Sequence, residues 1–183
     1  MSAVTPSGPT IGIFASDRGP GDPERASLMS EAGRLFARRG ARLACLAEEG
    51  VIPVPLITAA RAAGGAVDVL ADASIVLPPA LKGVPITVLP ERAERHARLA
   101  EMSQVLVALP GSLQSVSALF GTWSAGQKRP VVMLNRHRAY EAVRGFAADV
   151  LAHAVPGYDR KMQFAETVDE LWNKVNWVIQ HER

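Results

Sequence analysis

Cysteine occurs once in the 183 residues, at Cys45, which excludes an intrachain disulfide and a multi-cysteine metal centre. A reducing, cytoplasmic setting is the simplest expectation. No apolar run reaches membrane-spanning length, and the N-terminus lacks a basic stretch followed by an apolar one, so neither insertion nor secretion is expected. Charge of one sign is missing too. Twenty basic against 18 acidic side chains leave a formal net charge of +2, and the pI near 9.0 rests on that excess of two. That balance predicts no broad electropositive face, hence no nucleic-acid partner and no membrane partner. The signature motifs of several enzyme classes are absent. No GxGxxG follows the first apolar strand and no GKS or GKT loop occurs. His96, His137, His153 and His181 form no HxxxH or HExxH pattern. Nicotinamide-dependent redox chemistry, P-loop ATP hydrolysis and zinc hydrolysis are therefore unsupported, and neither a cofactor nor a metal is expected.

What is present is a composition that is 48% apolar and 21% charged, enough for one good core and too little for two. Residues 1–9 read as a loose tail, and residues 10–183 as a single domain. Short apolar, β-branched runs predict strands at 10–15, 41–47, 84–89, 105–109 and 130–134. VDVL and SIVL straddle an Ala-Asp-Ala interruption, which leaves open whether they form one strand or two. Apolar residues at helical spacing predict helices over 24–39, 56–63, 91–103, 113–125 and 139–153. A last helix carries Val168, Leu171, Trp172, Val175, Val178 and Ile179 on one side. In the second half, Tyr140, Val143, Phe146, Ala147, Val150 and Leu151 make one stripe, and 157–161 is a turn. Glu91–Arg95 and Glu94–Arg98, acid first and four apart, read as solvent-exposed pairs. The alternation of strands and helices predicts a three-layer, Rossmann-like α/β fold on a mainly parallel sheet.

In such a sheet, ligands gather beyond the carboxyl ends of the strands. Four ends carry polar or small residues: Ala15 to Gly19, Ala47 to Gly50, Pro90 to Arg95, and Pro110 to Ser117. The last reads PGSLQSVS, an apolar strand meeting Pro-Gly and then hydroxyl residues that open a helix. Ser112, Ser115 and Ser117 there either cradle an anion with the first-turn N–H groups or simply cap the helix. Cys45, inside a predicted strand, reads as a small core residue. Arg136-His137-Arg138 reads as a solvated basic loop, and Trp123, Trp172 and Trp177 as packing residues.

The segments RHARL (95–99) and VLVALPG (105–111), with the order of elements, resemble the LOG family of nucleoside 5'-monophosphate phosphoribohydrolases, often labelled lysine decarboxylase-like. The resemblance spans Thr10 to the final helix. It implies a phosphate cradle at a P-G-G-x-G-T-x-x-E segment, a ligand-facing Arg95, and a homodimer or higher homo-oligomer with the stripe around Leu119 and Trp123 as a surface for it. Several positions depart from the family pattern. Leu46-Ala47-Glu48 stands where the family has three glycines, Ser112 and Gln114 replace glycines, Ser115 replaces threonine, and His96 replaces lysine. Ala118 stands at the catalytic glutamate, and Gly121 at a further one.

The resemblance thus implies a pseudoenzyme of that family that binds a nucleoside monophosphate or other phosphorylated small molecule. Its ligand-facing candidates are Ser16, Arg95, His96, Gly111, Ser112, Gln114 and Ser115. One alternative is an active phosphoribohydrolase that uses a relocated carboxylate at Glu48, Glu49 or Asp17. The other is a structural or protein-interaction homologue with a closed pocket.

Overall fold

The computed structural model describes residues 8–16, 23–125 and 129–182. Among them, β1 (Thr10–Phe14), β2 (Arg42–Ala47), β3 (Val67–Ala71), β4 (Ile86–Val88), β5 (Val105–Ala108), β6 (Val131–Leu134) and β7 (Met162–Ala165) form one sheet. Its order is β4-β3-β2-β1-β5-β6-β7, and every pairing is parallel. The helices are α1 (Pro23–Arg38), α2 (Val54–Ala62), α3 (Arg92–Met102), α4 (Leu113–Ala125), α5 (Glu141–Phe146), α6 (Ala152–Ala154), α7 (Tyr158–Lys161) and α8 (Val168–His181). This is the three-layer, Rossmann-like α/β arrangement that the alternation of patterns predicts.

Because successive strand side chains face opposite ways, each strand serves two cores. Ile11, Ile13, Leu43, Val105 and Val107 meet Leu28, Met29 and Phe36 of α1, Leu56 and Ile57 of α2, and Leu171 and Val175 of α8. Phe14, Ala44, Leu106 and Ala108 face the other way, onto Leu99 of α3 and Ala118 and Leu119 of α4. Strands covered on both faces need no polar alternation, which is why these runs are almost wholly apolar. Cys45 lies fully buried among them. Burial, with the charge of Asp68, pushes its thiol up to about 12, so it is a packing group.

Several sequence expectations need correction. The choice left open at VDVL and SIVL resolves to one strand: Asp72 accepts from the Ser74 backbone and hydroxyl at 3.0 and 2.5 Å, a side-chain turn that ends the run at Ala71. Pro85 and Pro90 confine β4 to three residues. The 139–153 helix changes hydrogen-bond register in a π turn over Ala147–Leu151, which shifts the phase of the stripe and leaves Phe146 and Val150 exposed while Tyr140 and Ala147 are buried. The predicted turn at 157–161 holds the short helix α7, and β7, unforeseen, follows it. Leu119 is a core residue, so it offers no surface for oligomerisation. Trp123 is half-buried, with its indole N–H donating to the Arg129 carbonyl at 3.0 Å. Among the described residues no helix is long and apolar enough to cross a membrane.

α1 and α2 approach so closely that a Cβ on Gly33 would lie 2.5 Å from the Leu56 carbonyl oxygen. Gly33→Ala is expected to lose about 1–3 kcal/mol of stability in urea or thermal unfolding, because this overpacking outweighs alanine's better helix propensity of about 1 kcal/mol. Unchanged stability would show that the helices are free to separate.

Candidate functional site

The chain runs outward from β1 through β2 and β3 to β4, then returns to place β5 on the other side of β1. Connections leaving β1 and β5 therefore diverge, and a crevice opens at their carboxyl ends. A small cleft of about 40 Å³ lies there, lined by Phe14, Ser16, Leu46, Glu48, Val51, Ser112, Gln114, Ser115 and Ala118 among others. Its floor is apolar (Ile13, Phe14, Leu46, Ala118) and its rim carries hydroxyl and amide groups.

Each wall has a local cause. After β2 the chain reverses at once: Val51 N–H donates to the Glu48 carbonyl at 2.9 Å, and Glu49 and Gly50 both have positive φ, 52° and 76°. Positive φ at both central positions is the geometry of a type I′ turn. Asp72 secures it by accepting from Glu49 N–H at 2.8 Å, and that bond, with those from Ser74, holds its carboxyl below the ordinary value. After β5, Ser112 and Ser115 cap α4 reciprocally. Ser112 N–H donates to Ser115 Oγ at 3.0 Å, and Ser115 N–H to Ser112 Oγ at 3.3 Å. Gly111 is required beside them, since a Cβ there would stand 2.5 Å from Ser115 Oγ. Tyr140, buried so that its phenol is pushed up, donates to the Leu109 carbonyl at 2.5 Å and braces the strand end just before Pro110. The Asn135 amide oxygen accepts from Tyr140 N–H at 2.8 Å.

The electrostatic centre is Glu48. Its Oε2 accepts from Arg95 Nε at 3.0 Å and Nη2 at 2.6 Å, and Oε1 lies 3.1 Å from His96 Nε2. Side-chain exposures are 11% for Glu48, 5% for Arg95 and 4% for His96. Burial alone would raise the Glu48 carboxyl. The hydrogen bonds and charges of His96 and Arg95 outweigh that and hold it below its ordinary value. Arg95 Nη1 donates to the carbonyls of Leu89 and Pro90, each at 2.7 Å. The His96 ring takes space that a side chain at Gly121 would fill, since a Cβ there would lie 2.8 Å from Nδ1.

The structure thus gathers Ser16, Glu48, Ser112, Gln114 and Ser115 at one cleft, with Gly111 under the rim. Arg95 and His96 stand behind Glu48 and do not line the cleft. The expectation that Arg95 is a surface partner of Glu91 fails because it is drawn inward to Glu48, while Arg98 pairs with Glu101 at 3.4 Å. Glu48 is fully committed to those two partners and Glu49 stands off the cleft against the Gln114 amide at 3.3 Å, so neither is a relocated acid or base. Ser117 turns to α3, accepting from Arg92 at 3.1 Å. His137 and Arg136 pair with Glu24 at 2.6 and 3.6 Å. Asp17 lies outside the described residues. Sequence reasoning missed Phe14, Val51, Asp72 and Tyr140. The Asp72-x-Ser74 spacing signals a turn, whereas nothing local marks Tyr140.

The lowered Glu48 carboxyl means that the unfolded chain binds this proton more readily. Its stabilisation is complete above the ordinary value of 4.5 and disappears as pH falls through the folded value. Glu48→Gln should be less stable at pH 7 by about 3 kcal/mol, because Arg95 loses its counter-ion. Urea unfolding from pH 7 to pH 3 should show a shallower acid decline for the variant. Equal stability at pH 7 would deny the ion pair its structural part.

No protein-family model matches the chain, and no curated protein matches it in sequence. Solved structures do. The molybdenum cofactor carrier protein of Chlamydomonas reinhardtii superposes with a TM-score of 0.70 at 21% identity, over 94% of this chain and 98% of that one. The molybdenum cofactor binding protein of Rippkaea orientalis gives 0.69 at 15% identity, over 93% and 97%. DNA processing protein A of Helicobacter pylori, a structure describing a single-stranded DNA binding mode, gives 0.60 at 14% identity, over 98% and 83%. At these identities the likeness establishes the fold.

It also corrects the family reading. The structures named above are molybdenum cofactor carrier and binding proteins and a DNA processing protein, so the LOG resemblance is withdrawn. With it go the degenerate phosphoribohydrolase, its active and closed-pocket alternatives, the nucleoside monophosphate ligand and the homo-oligomer derived from it. The physical reason is visible at the second strand end, where a closed turn carrying Glu48 occupies the place of an open glycine loop. The exclusion of nucleic acid is withdrawn as well, because a balanced net charge does not separate this fold from a single-stranded DNA binder.

Proposed function

We propose that this chain is a carrier protein that holds a cofactor of the molybdenum-cofactor class in the cleft beyond β1, β2 and β5 and releases it chemically unchanged. The observation that carries the reading is the make-up of the cleft. Glu48 is the one carboxylate lining it among the described residues, and both of its oxygens are engaged by Arg95 and His96. General acid–base work requires a carboxyl group able to exchange a proton with the reacting molecule, and a carboxylate held in this way binds and orients instead. An apolar floor suits a flat heterocycle, and the hydroxyl and amide groups of Ser16, Ser112, Gln114 and Ser115 suit its polar edges. The fold shared with carrier and binding proteins of that cofactor supports the same reading. A cytoplasmic setting, expected from the lone and buried Cys45, accords with it.

The test is retention. Molybdenum cofactor released from a molybdoenzyme and mixed with the protein should co-elute with it in anaerobic gel filtration, read as molybdenum and pterin fluorescence together. Gln114→Trp, at the rim of the cleft, should cut retention by about tenfold or more with little change in thermal stability. No co-elution, or retention indifferent to Gln114→Trp, would overturn the reading. Binding of a single-stranded oligonucleotide in its place would turn it toward the DNA processing proteins.

A further inference from the structure

Arg95 and His96 each have a contact besides Glu48. The carbonyls of Leu89 and Pro90 hold Arg95 Nη1, and the His96 ring is seated in the room left by Gly121. Glu48, in contrast, rides on a reversing turn whose Glu49 sits at φ 52°, a conformation that a residue with a Cβ adopts at a cost. The scaffold thus fixes the basic groups and mounts the acid on the turn. The acid alone faces the cleft, while the basic groups lie behind it. Two basic side chains on a rigid frame, each presenting an N–H toward one point, form a seat for an oxyanion. In this structure the chain's own carboxylate sits in it.

We infer that Glu48 is an internal stand-in for an oxyanionic group of the ligand, and that the ligand's oxyanion displaces it from Arg95 and His96. The inference rests on the carrier reading for the presence of a ligand in the cleft. Exchanging one oxyanion for another leaves neither Arg95 nor His96 buried without a counter-charge, so the heavy penalty for breaking a buried ion pair does not arise. What must be given up lies in the turn and its contacts: Glu49 N–H with Asp72, the paired backbone bonds between Glu48 and Val51, and the Gln114 amide with the Glu48 carbonyl and the Glu49 carboxylate. Relief of the positive φ at Glu49 offsets part of that. The displaced carboxylate has the open rim of the cleft to enter. A ligand with an acidic tail would then extend from the apolar floor to Arg95, whereas a ligand without one would stop at Glu48.

Titration calorimetry and thermal unfolding with inorganic phosphate and with acetate test this in wild-type protein and Glu48→Gln. The variant should bind at least one of these anions about tenfold more tightly than wild type does, and its melting temperature should climb with that anion. Adding Arg95→Met to Glu48→Gln should abolish both effects. Preference for phosphate or for acetate tells whether the acidic tail is a phosphate or a carboxylate, and either preference supports the inference. Equally weak responses of wild type and variant to both anions overturn it. Should Glu48→Gln fail to fold, amide exchange in wild-type protein decides. Faster exchange at Glu49 and Val51 in saturating phosphate supports displacement, and unchanged exchange overturns it. These probes contain no cofactor, so the two readings fail separately. Cofactor retention by wild type without an anion response in the variant removes only the inference, and the reverse pattern removes only the carrier reading.

Discussion

The Glu48 carboxylate, received by Arg95 and His96 at distances of 2.6 to 3.2 Å, ties the end of β2 to the first turns of α3. A carboxylate this well buried stays ionised only where opposite charge and hydrogen bonds outweigh the loss of water. The surrounding structure is arranged to supply them. Carbonyls at the end of β4 orient the guanidinium, a glycine on α4 admits the imidazole, and Asp72 beyond β3 fixes the turn that presents the acid. Five elements, β2, β3, β4, α3 and α4, thus meet at one charge.

Topology supplies the rest of the site. A parallel sheet whose chain leaves β1 in one direction and returns to its other side must leave a gap between the two departing connections. That gap exists whatever the side chains are, which is how carriers of a cofactor and DNA processing proteins come to share the frame. Side chains decide its use. Here the floor is hydrocarbon, the rim is hydroxyl and amide, and the one acid among the described lining residues is neutralised from behind. Function therefore has to be argued from the lining and not from the fold.

Much of the architecture was legible in the sequence because it depends on local periodicity. The apolar runs at 105–109 and 130–134 and the stripe on the last helix each reveal their burial through spacing alone. The exceptions share a cause. β7 is four residues long with an interior glutamine, too short to show a period. SIVL has strand composition but is overruled by one aspartate that turns the chain. The π turn inserts a register change that no composition announces. For the site, the hydroxyls at 112 and 115 were legible as a helix opening. The partnership of positions 48 and 95 was not, because a pair 47 residues apart leaves no trace in spacing. Arg95, four residues beyond Glu91, carries the pattern of a surface ion pair. Only the fold shows that it points the other way.

The fit of the His96 ring against Gly121 has a consequence for how such a site can change over generations. Positions 96 and 121 share one volume, so the two cannot both carry large side chains. A lineage that gains an acidic residue at 121 while the ring is present meets a clash, and one that first trades the ring for a smaller or more flexible chain does not. The order of substitutions is thereby constrained. Among descendants of this chain, residues at these two positions should change as a coupled pair, the charge behind Glu48 changing with them.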